Sequence, residues 1–459
     1  MNISHNITKL ITTFTIFLFI FNVMSVSSIT ITNQTYNENN DCNYDLLIIT
    51  PRRFKLALRP LENHKERHQI ETKIVDLKTI YDKMATTGID NQEKIKYFIK
   101  SELENYSISY VLLIGHFKLL PIRYSYNIGQ RTHSSELKFI SDLYYADIFD
   151  SNSNFSSWDY NNNGVYGEWN NSPAEDRDID LIPDVCVGRL PCANIFEVRC
   201  MVRKIIRYET KTYGKSWFNR MIGVGGDSYI EYEGNEGEIN TQNAMNFMTG
   251  FTHIKLWASN GNLTGDISVI RELNKGCGFI YFDGHGLPNN WATYVPGEHT
   301  YINGLHNNNM IFLVNYNKLP ICVVSGCHNC QFDVHISRIF SDSYNQYTWI
   351  RECWGWHLIS KFIGGSIATI GNTGLGYSKE DKESKEGADS FLDPQFFWEY
   401  NINGTDILGK NWANTLTTYL KEFPIDWNTL GGSDSSIDAK TVQQWVLLGD
   451  PSLKIGGYN

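Results

Sequence analysis

The chain has 459 residues, more than one compact hydrophobic core usually holds, which predicts two or three packed subdomains. Hydrophobic residues make up 42% and charged residues 20%, so the composition is that of a soluble globular protein. The net charge of −10, without a long basic stripe in the sequence, argues against a nucleic-acid partner.

The N-terminus has the pattern of a secretory signal. Lys9 precedes an apolar run from Leu10 to Val26, and small residues follow at positions 25, 27 and 28. This order of basic, apolar and small residues predicts a signal peptide over residues 1–28. The run also approaches the roughly 20 residues that a membrane span needs, so an uncleaved N-terminal anchor is the alternative. In both cases we expect the rest of the chain to be extracellular, either secreted or anchored.

Residues 29–43 are polar and rich in asparagine, and they predict a flexible linker before the first strand at Tyr44. From there, short apolar runs alternate with amphipathic patterns, as in the helix predicted over 91–104 and the strand predicted over 110–115. This alternation predicts an α/β fold with a mostly parallel sheet covered by helices on both faces.

The α/β pattern occurs in two successive parts of the chain. The first is an N-terminal subdomain over residues 44–215, which includes an Asp- and Asn-rich loop region at 141–192. Long irregular loops of that kind usually serve a function or bind a metal. The second α/β subdomain covers residues 216–459 and contains the residues that we single out for chemistry.

Two apolar strands of the second subdomain each end in a glycine-containing turn with a reactive side chain. The run Phe279–Asp283 leads into a Gly-His-Gly turn around His285, and the run Ile321–Ser325 leads into a Gly-Cys turn at Cys327. Ligand sites of open parallel sheets lie at the carboxyl ends of the strands, so we expect both side chains to face one cleft.

A thiol and an imidazole in one cleft form the dyad of a cysteine hydrolase, in which the thiolate attacks a carbonyl carbon and the imidazole transfers protons. We therefore predict Cys327 as the nucleophile and His285 as its partner. Neighbouring glycines permit close approach of the backbone, so the N–H groups of Gly286 and Cys327 are candidate donors to an oxyanion. Each motif alone also fits a structural role, as a surface histidine or a buried thiol.

Beyond these strand ends, the chain resembles the gingipain family of cysteine peptidases, peptidase family C25, which have a caspase-like fold. The further motifs that carry the resemblance are Ser141-Asp-Leu-Tyr-Tyr-Ala-Asp147, Gly188-Arg-Leu-Pro191, Gly364-Gly-Ser-Ile-Ala-Thr-Ile-Gly-Asn-Thr-Gly374 and Leu448-Gly-Asp-Pro-Ser-Leu453. The resemblance spans about residues 44–455. It implies a caspase-like fold of two side-by-side subdomains, with His285 as the catalytic histidine and Cys327 as the nucleophile.

The resemblance also implies an acidic residue that orients the catalytic histidine. By its position after the strand that ends at Gly225, Asp227 matches this residue best, and Glu236 and Glu238 are nearby rivals. Such an acid would hold the imidazole tautomer and stabilise its charged form. All three could also be solvated loop residues.

The substrate pocket is where the chain departs from the family. Arg-specific gingipains have an acid at the floor of the pocket for the residue before the scissile bond, and an ungapped comparison places Asn240 there. An amide offers no full charge to a basic side chain, which leaves an Arg or Lys preference in doubt. Trp291 follows the histidine turn and is either a wall of this pocket or part of the core.

The Asp- and Asn-rich region contains the beginning of a calcium loop, with oxygen-bearing side chains at alternate positions and a glycine at the sixth. The twelfth position is Asn170 where an EF-hand has Glu, so the loop is not an EF-hand. Calcium also stabilises members of the family, so the resemblance adds to the hypothesis of a structural Ca²⁺. The candidate ligands are Asp159, Asn161, Asn163 and Glu168.

The nine cysteines include a Cys327-His-Asn-Cys330 motif, which is typical of a redox pair or of two metal ligands. A disulfide between Cys327 and Cys330 that masks the nucleophile is a hypothesis from this spacing. The odd number of cysteines leaves at least one thiol unpaired within the chain.

The predicted function is a secreted cysteine endopeptidase that hydrolyses protein or peptide substrates through an acyl-enzyme. No cofactor is required for this chemistry, and we expect no nucleic-acid partner and no membrane contact beyond a possible N-terminal anchor. One alternative is a catalytically silent relative that acts as a binding or surface module. The other is a thiol–disulfide protein that uses Cys327 and Cys330. The sequence predicts no oligomeric state.

Overall fold

The computed structural model describes residues 43–128, 136, 138–170, 172–177, 179–229, 234–334, 350–378 and 387–459. The predicted signal peptide over 1–28 lies outside the described residues, as does all of the predicted linker except residue 43. Within the described residues, no helix is both long and apolar enough to cross a membrane.

A ten-stranded sheet organises the described part of the chain. Its strands are β1 (Leu46–Thr50), β2 (Thr72–Asp76), β3 (Tyr110–Ile114), β6 (Cys186–Leu190), β7 (Arg220–Gly225), β8 (Thr252–Trp257), β9 (Phe279–Asp283), β13 (Ile321–Ser325), β14 (Ala368–Asn372) and β15 (Trp445–Leu448). The spatial order is β2-β1-β3-β6-β15-β14-β13-β9-β7-β8. Every pairing is parallel except that between β14 and β15, which confirms the predicted mostly parallel sheet.

The strands sort along the sheet by their place in the sequence. The four strands from residues 44–215 form one end, and the six from residues 216–459 form the other. They meet where Leu448 of β15 pairs with Arg189 of β6. This order is compatible with two side-by-side subdomains, and the division at residue 215 stays a prediction.

Two short strands, β4 (Tyr124–Ser125) and β5 (Phe139–Ile140), pair apart from the main sheet. A separate antiparallel sheet consists of β10 (His285–Leu287), β11 (Asn290–Tyr294) and β12 (Tyr301–His306). The sequence did not predict this small sheet, because its strands are short and only partly apolar. It has a functional consequence, since its first residue is His285.

Every residue of the central strands β3, β9, β13, β14 and β15 is buried or nearly so. This burial indicates that both faces of the main sheet are covered by helices. The helices are α1 (Lys55–Arg67), α2 (Leu77–Lys83), α3 (Asn91–Tyr106), α4 (Ile195–Lys211), α5 (Glu236–Phe247), α6 (Asp266–Lys275), α7 (Trp354–Ser360), α8 (Asp389–Asn401), α9 (Leu408–Glu422) and α10 (Asp434–Gln444). Helix α1 packs on α4, and α8 packs on both α5 and α9.

A buried ion network joins α1, α4 and the turn that follows β15. The ammonium group of Lys65 lies 2.9 Å from a carboxylate oxygen of Glu209 and 2.8 Å from one of Asp450. All three side chains are shielded from water, and His64 contacts the second oxygen of Glu209 at 2.8 Å. Two carboxylates therefore depend on one ammonium group for compensation of their charge.

Replacing Lys65 by methionine should destabilise the fold strongly, because the buried carboxylates of Glu209 and Asp450 lose their partner. Breaking a buried pair in this way costs about 3–5 kcal/mol. Urea-induced unfolding of Lys65→Met against the parent measures the change. The matched control is Lys78→Met, which removes an exposed pair with Asp82 worth less than about 0.5 kcal/mol. Equal unfolding of the two variants would show that the network contributes little.

Candidate active site

Four neighbouring parallel strands carry the candidate site at their carboxyl ends. Strands β14, β13, β9 and β7 lie side by side and run in the same direction. Ser325 at the end of β13 pairs with Asp283 at the end of β9. Cys327 and His285, each two residues further on, therefore leave the sheet at the same level.

The turns of His285 and Cys327 touch where glycines allow it. A side chain at Gly286 would place its Cβ 2.5 Å from the carbonyl oxygen of Cys327. A side chain at Gly326 would place its Cβ 3.2 Å from the Cα of Gly286. Only glycine at both positions permits this approach. The approach brings the backbone of both predicted oxyanion donors to one place, and their role stays a prediction.

Asn329 joins the two turns and was not singled out from the sequence. Its side-chain amide donates hydrogen bonds to the carbonyl oxygens of Leu287 (2.8 Å) and Asn290 (2.9 Å). Asn329 is fully buried, and its bond to Asn290 is shielded from water, while its bond to Leu287 is partly buried. The residue thereby holds the cysteine turn against the small sheet that carries His285.

His285 and Cys327 line one cleft of about 250 Å³. Each neighbouring strand contributes to its walls. Ser228 and Tyr229 follow β7, and the segment 375–378 follows β14. The cleft therefore lies where open parallel sheets usually bind their ligands.

The thiol of Cys327 is partly buried and faces this cleft. Burial raises the pKa of Cys327 to about 11, while the backbone N–H of Gly376, which donates a hydrogen bond to the sulfur, lowers it. The charges of Asp389 and Glu136 also contribute to the raised pKa of Cys327. The sulfur is therefore protonated at neutral pH, before a substrate binds.

His285 lies at the mouth of the cleft, with one side exposed to solvent and its ring 5.6 Å from that of Tyr294, edge to face. Burial of the other side lowers the pKa of His285, while a hydrogen bond to the backbone of Ser228 and the charge of Asp227 raise it. A lowered imidazole pKa beside a raised thiol pKa makes the resting pair neutral. His285 is thus unprotonated in the resting state, with an imidazole nitrogen free to accept a proton.

Asp227, the predicted orienting acid, is buried beside the histidine and acts on it through its charge. Its carboxylate accepts a hydrogen bond from the backbone N–H of Tyr229 (2.8 Å) and shares another with Glu236. The direct hydrogen bond of His285 goes to the backbone of Ser228, which raises the imidazole pKa as an accepting carbonyl does. The ring is therefore oriented by the residue next to Asp227.

Glu238 and Asn240 lie behind the cleft and are absent from its lining. Glu238 accepts a hydrogen bond from the backbone N–H of Ser259 (2.8 Å) and so holds the loop after β8. The amide of Asn240 contacts Ser390 at 3.5 Å and forms a hydrogen bond with Asp283. Asn240 therefore supports a carboxyl group of the cleft, in place of the predicted role in the pocket.

Trp291 is fully buried and belongs to the core, the second of its two predicted roles. Its ring packs against Phe282 with centres 5.2 Å apart, and its indole N–H donates a hydrogen bond to the carbonyl oxygen of Ser325 (3.3 Å). Trp291 supports both strand ends from behind the cleft.

Three carboxyl groups line the cleft with Cys327 and His285: they belong to Glu236, Asp283 and Asp389. Burial raises the pKa of Asp283 and of Asp389 to about 7 in each case, and the charge of Asp283 raises that of Asp389 further. Sequence reasoning missed both aspartates. Asp283 had a signal, since it is the last residue of the strand before the histidine turn, but Asp389 comes from a distant helix.

Cys330 is fully buried between β14 and α7, where side chains at Gly371 and Gly355 would place their Cβ 3.1 Å and 2.6 Å from its sulfur. It does not line the cleft of Cys327. All eight cysteines of the described residues are free thiols. The geometry therefore gives no support to a masking disulfide between Cys327 and Cys330.

The four predicted calcium ligands lie on one loop. Asp159 accepts hydrogen bonds from the backbone N–H groups of Asn163 (2.9 Å) and Gly164 (3.0 Å), and the amide of Asn163 donates to Glu168 (2.8 Å). Their oxygen atoms suit a hard cation such as Ca²⁺. Within the described residues, no three His, Cys, Asp or Glu side chains are grouped to hold a metal. The calcium site stays a prediction.

The model of peptidase family C25 matches residues 39–456. The chain belongs to peptidase family C25. It is also 22% identical, over 348 residues, to an uncharacterized protein of Archaeoglobus fulgidus, a match that covers 72% of this chain and 75% of that protein.

Solved structures of RgpB have the same fold. The complex of its pro- and mature domains from Porphyromonas gingivalis matches with a TM-score of 0.61 at 17% identity, over 90% of this chain and 79% of that one. The Arg specific cysteine proteinase gingipain R (RGPB) matches with a TM-score of 0.61 at 17% identity, over 91% and 79%. At this identity the likeness shows a shared fold. Family and fold together confirm the predicted gingipain-like C25 relationship, and C25 is a family of cysteine peptidases.

Replacing Asn329 by alanine should loosen the contact between the two turns, because the carbonyl oxygens of Leu287 and Asn290 lose their donor. Each unsatisfied group costs about 1–3 kcal/mol. We expect a lower thermal midpoint and faster alkylation of Cys327 by iodoacetamide, followed by mass spectrometry of the peptide that contains Cys327. The exposed Asn308→Ala is the control and should match the parent. Unchanged stability and alkylation in Asn329→Ala would contradict the positioning role.

Proposed function

We propose that the protein is a secreted cysteine endopeptidase, with Cys327 as nucleophile and His285 as proton-transfer partner. The observation that carries the proposal is that both side chains line one cleft, at the carboxyl ends of adjacent parallel strands, in a chain of family C25. Secretion is supported by the order of basic, apolar and small residues in 1–28.

The reaction begins from a neutral thiol and a neutral imidazole. As the sulfur of Cys327 attacks the carbonyl carbon of the scissile bond, His285 takes the thiol proton. The backbone N–H groups of Gly286 and Cys327 stabilise the oxyanion that forms, a contribution of about 3–4 kcal/mol for one such donor. The Ser228 carbonyl and the charge of Asp227 stabilise the imidazolium.

His285 next gives its proton to the nitrogen of the leaving amine as the C–N bond breaks, which leaves an acyl group on the sulfur. Water then attacks the thioester carbonyl, and His285 removes its proton. When the second tetrahedral intermediate collapses, that proton returns to the sulfur, and the carboxylic acid product is released. Both half-reactions thus use one imidazole as base and then as acid.

We further propose that the cleft prefers a basic residue before the scissile bond. Asp283 and Asp389 line it next to the dyad, and a guanidinium or ammonium group would compensate their charge. The match to an Arg specific proteinase agrees with this preference. Asn240 no longer argues against a preference for Arg or Lys, because the carboxyl groups of the cleft come from other parts of the chain.

The dyad is tested by three variants assayed on a peptide library and with an irreversible, thiol-directed peptide inhibitor under reducing conditions. We expect Cys327→Ala to lose both cleavage and labelling, since the nucleophile is gone. His285→Ala should lose cleavage by about 100-fold or more, because no other group transfers the proton. Cys330→Ala is the control, since its thiol lies outside the cleft, and it should retain activity.

Three outcomes would count against the dyad. A folded parent that cleaves no peptide would favour a silent binding module. Cleavage retained in Cys327→Ala would point to another nucleophile. Activity that depends on Cys330 would favour the thiol–disulfide alternative.

The preference for a basic residue should increase with pH, because burial raises the pKa of Asp389 and of Asp283 to about 7. Below that pH both carboxyl groups are protonated and attract a cation weakly; above it they are charged. We expect the ratio of kcat/KM for an Arg substrate over its Gln counterpart to rise between about pH 6 and about pH 8. Titration of the dyad affects both substrates and cancels in this ratio.

In Asp389→Asn the same ratio should fall about tenfold or more, as expected for loss of a charged hydrogen-bond partner. The control is Asp393→Asn, because burial raises the pKa of Asp393 well above its usual value, which favours the uncharged carboxyl. It is buried and does not line the cleft. A pH-independent ratio near one, unchanged in Asp389→Asn, would exclude a basic preference.

A further inference from the structure

A stripe of cations runs along helix α4, although the chain as a whole is acidic. Arg199, Arg203, Arg207 and Lys211 follow one another at intervals of four residues, so they lie on one side of the helix. Lys215 and Lys318 extend the stripe across the neighbouring groove. All six side chains belong to exposed residues. We call these six residues the cationic surface.

The cationic surface is not neutralised by its surroundings. Within the described residues, no salt bridge is formed by Arg199, Arg203, Arg207, Lys211 or Lys215. Each pair of like charges four residues apart destabilises a helix by about 0.2–0.5 kcal/mol. The stripe contains three such pairs in succession, a repulsion that an anionic partner would relieve.

Exposed apolar side chains lie beside these cations. Phe196, Tyr316 and Phe362 are 62%, 65% and 51% exposed, and Ile363 is exposed as well. The rings of Phe196 and Phe362 stack with centres 5.9 Å apart. We call these four residues the apolar rim.

The apolar rim is continuous with the cationic surface. The guanidinium of Arg203 lies 4.3 Å from the ring centre of Phe362. Arg203 and Arg207 line a second cavity, of about 180 Å³, together with Tyr316, Phe362 and Ile363. Cations and exposed apolar groups therefore form one surface.

The buried Lys204 holds the turn that carries Phe362 and Ile363 of the apolar rim. The ammonium group of Lys204, on the inner side of α4, donates hydrogen bonds to the carbonyl oxygens of Ile359, Lys361 (3.3 Å) and Gly364 (3.2 Å). These bonds fasten the turn after α7 to α4. The exposure of Phe362 and Ile363 is therefore a consequence of a fixed turn, since the backbone on both sides of them is held.

The groove next to the stripe has a volume of about 720 Å³, and apolar residues such as Val202, Ile206 and Trp217 form its floor. The cations stand on its margin. An occupant with a negatively charged head and an apolar body matches this arrangement of charge and apolar surface.

We propose that the cationic surface and the apolar rim bind an anionic lipid bilayer. The cations would pair with phosphate headgroups, and the rim would enter the interface, where aromatic side chains are favoured. Clusters of four to eight Lys and Arg are typical of anionic lipid recognition. The aromatic rings of the rim are 51–65% exposed, which suits side chains that enter a lipid interface. This binding extends the membrane contact beyond an N-terminal anchor and does not require peptidase activity.

Flotation with vesicles tests the proposal on the full chain, using phosphatidylcholine alone or with about one third phosphatidylglycerol. We expect at least about tenfold tighter binding to the anionic vesicles, decreasing with salt because screening weakens the contact. Arg203→Glu with Arg207→Glu should lose this difference. The matched control is Lys78→Glu with Lys421→Glu, which makes the same change of net charge on other helices. The N-terminal apolar run is present in every arm and cancels in the comparison.

Phe196→Ser with Phe362→Ser tests insertion separately, and we expect it to weaken binding at high salt, where the charge contribution is screened. Circular dichroism of each variant verifies the fold. Equal binding to both kinds of vesicle, or equal effects of the two charge-reversal pairs, would overturn the proposal. So would poly-glutamate or DNA that binds with the same dependence on Arg203 and Arg207 while anionic vesicles do not. An unchanged serine variant would show that charge acts alone and would overturn insertion.

Discussion

The parallel register between β9 and β13 is the constraint on which the candidate site depends. It pairs Asp283 with Ser325, so the two chains leave the sheet together and the His285 and Cys327 turns meet. The meeting is close because glycine occupies position 286, and it is held by the amide of Asn329. A shift of one residue in this register would turn the two side chains toward opposite faces of the sheet. The hydrophobic strands therefore position the chemistry as well as forming the core.

Burial determines the electrostatics of the same cleft. It raises the pKa of Cys327 and lowers that of His285, so the dyad rests as an uncharged pair. It also raises the pKa of Asp283 and Asp389, which lie close enough to affect each other. A substrate that brings a cation would meet carboxyl groups that ionise readily in its presence. Binding of a cationic substrate would then favour loss of the protons of these carboxyl groups, so that opposite charges face each other away from bulk water.

The net charge of this molecule does not reveal how its charges are distributed, because positive side chains are concentrated on one surface. The chain carries −10 overall, and this value argued against a nucleic-acid partner. The folded chain nevertheless gathers arginines and a lysine of α4 on one surface beside exposed aromatic rings. Their spacing of four residues was visible in the sequence. The apolar rim was not, since Phe362 reaches α4 only through the turn held by Lys204.

The sequence by itself determined the α/β class and predicted that His285 and Cys327 face one cleft, because both inferences depend on short-range patterns. An apolar run predicts a buried strand, and a reactive residue in the turn after it predicts a site at the edge of the sheet. Only the tertiary structure decided what surrounds the dyad. Asp389 comes from a helix far along the chain, and the hydrogen bond of His285 goes to a backbone atom of Ser228. Asn240 and Trp291 turned out to lie behind the cleft, because whether a side chain faces a cleft or the core depends on packing between distant segments, which local spacing does not encode.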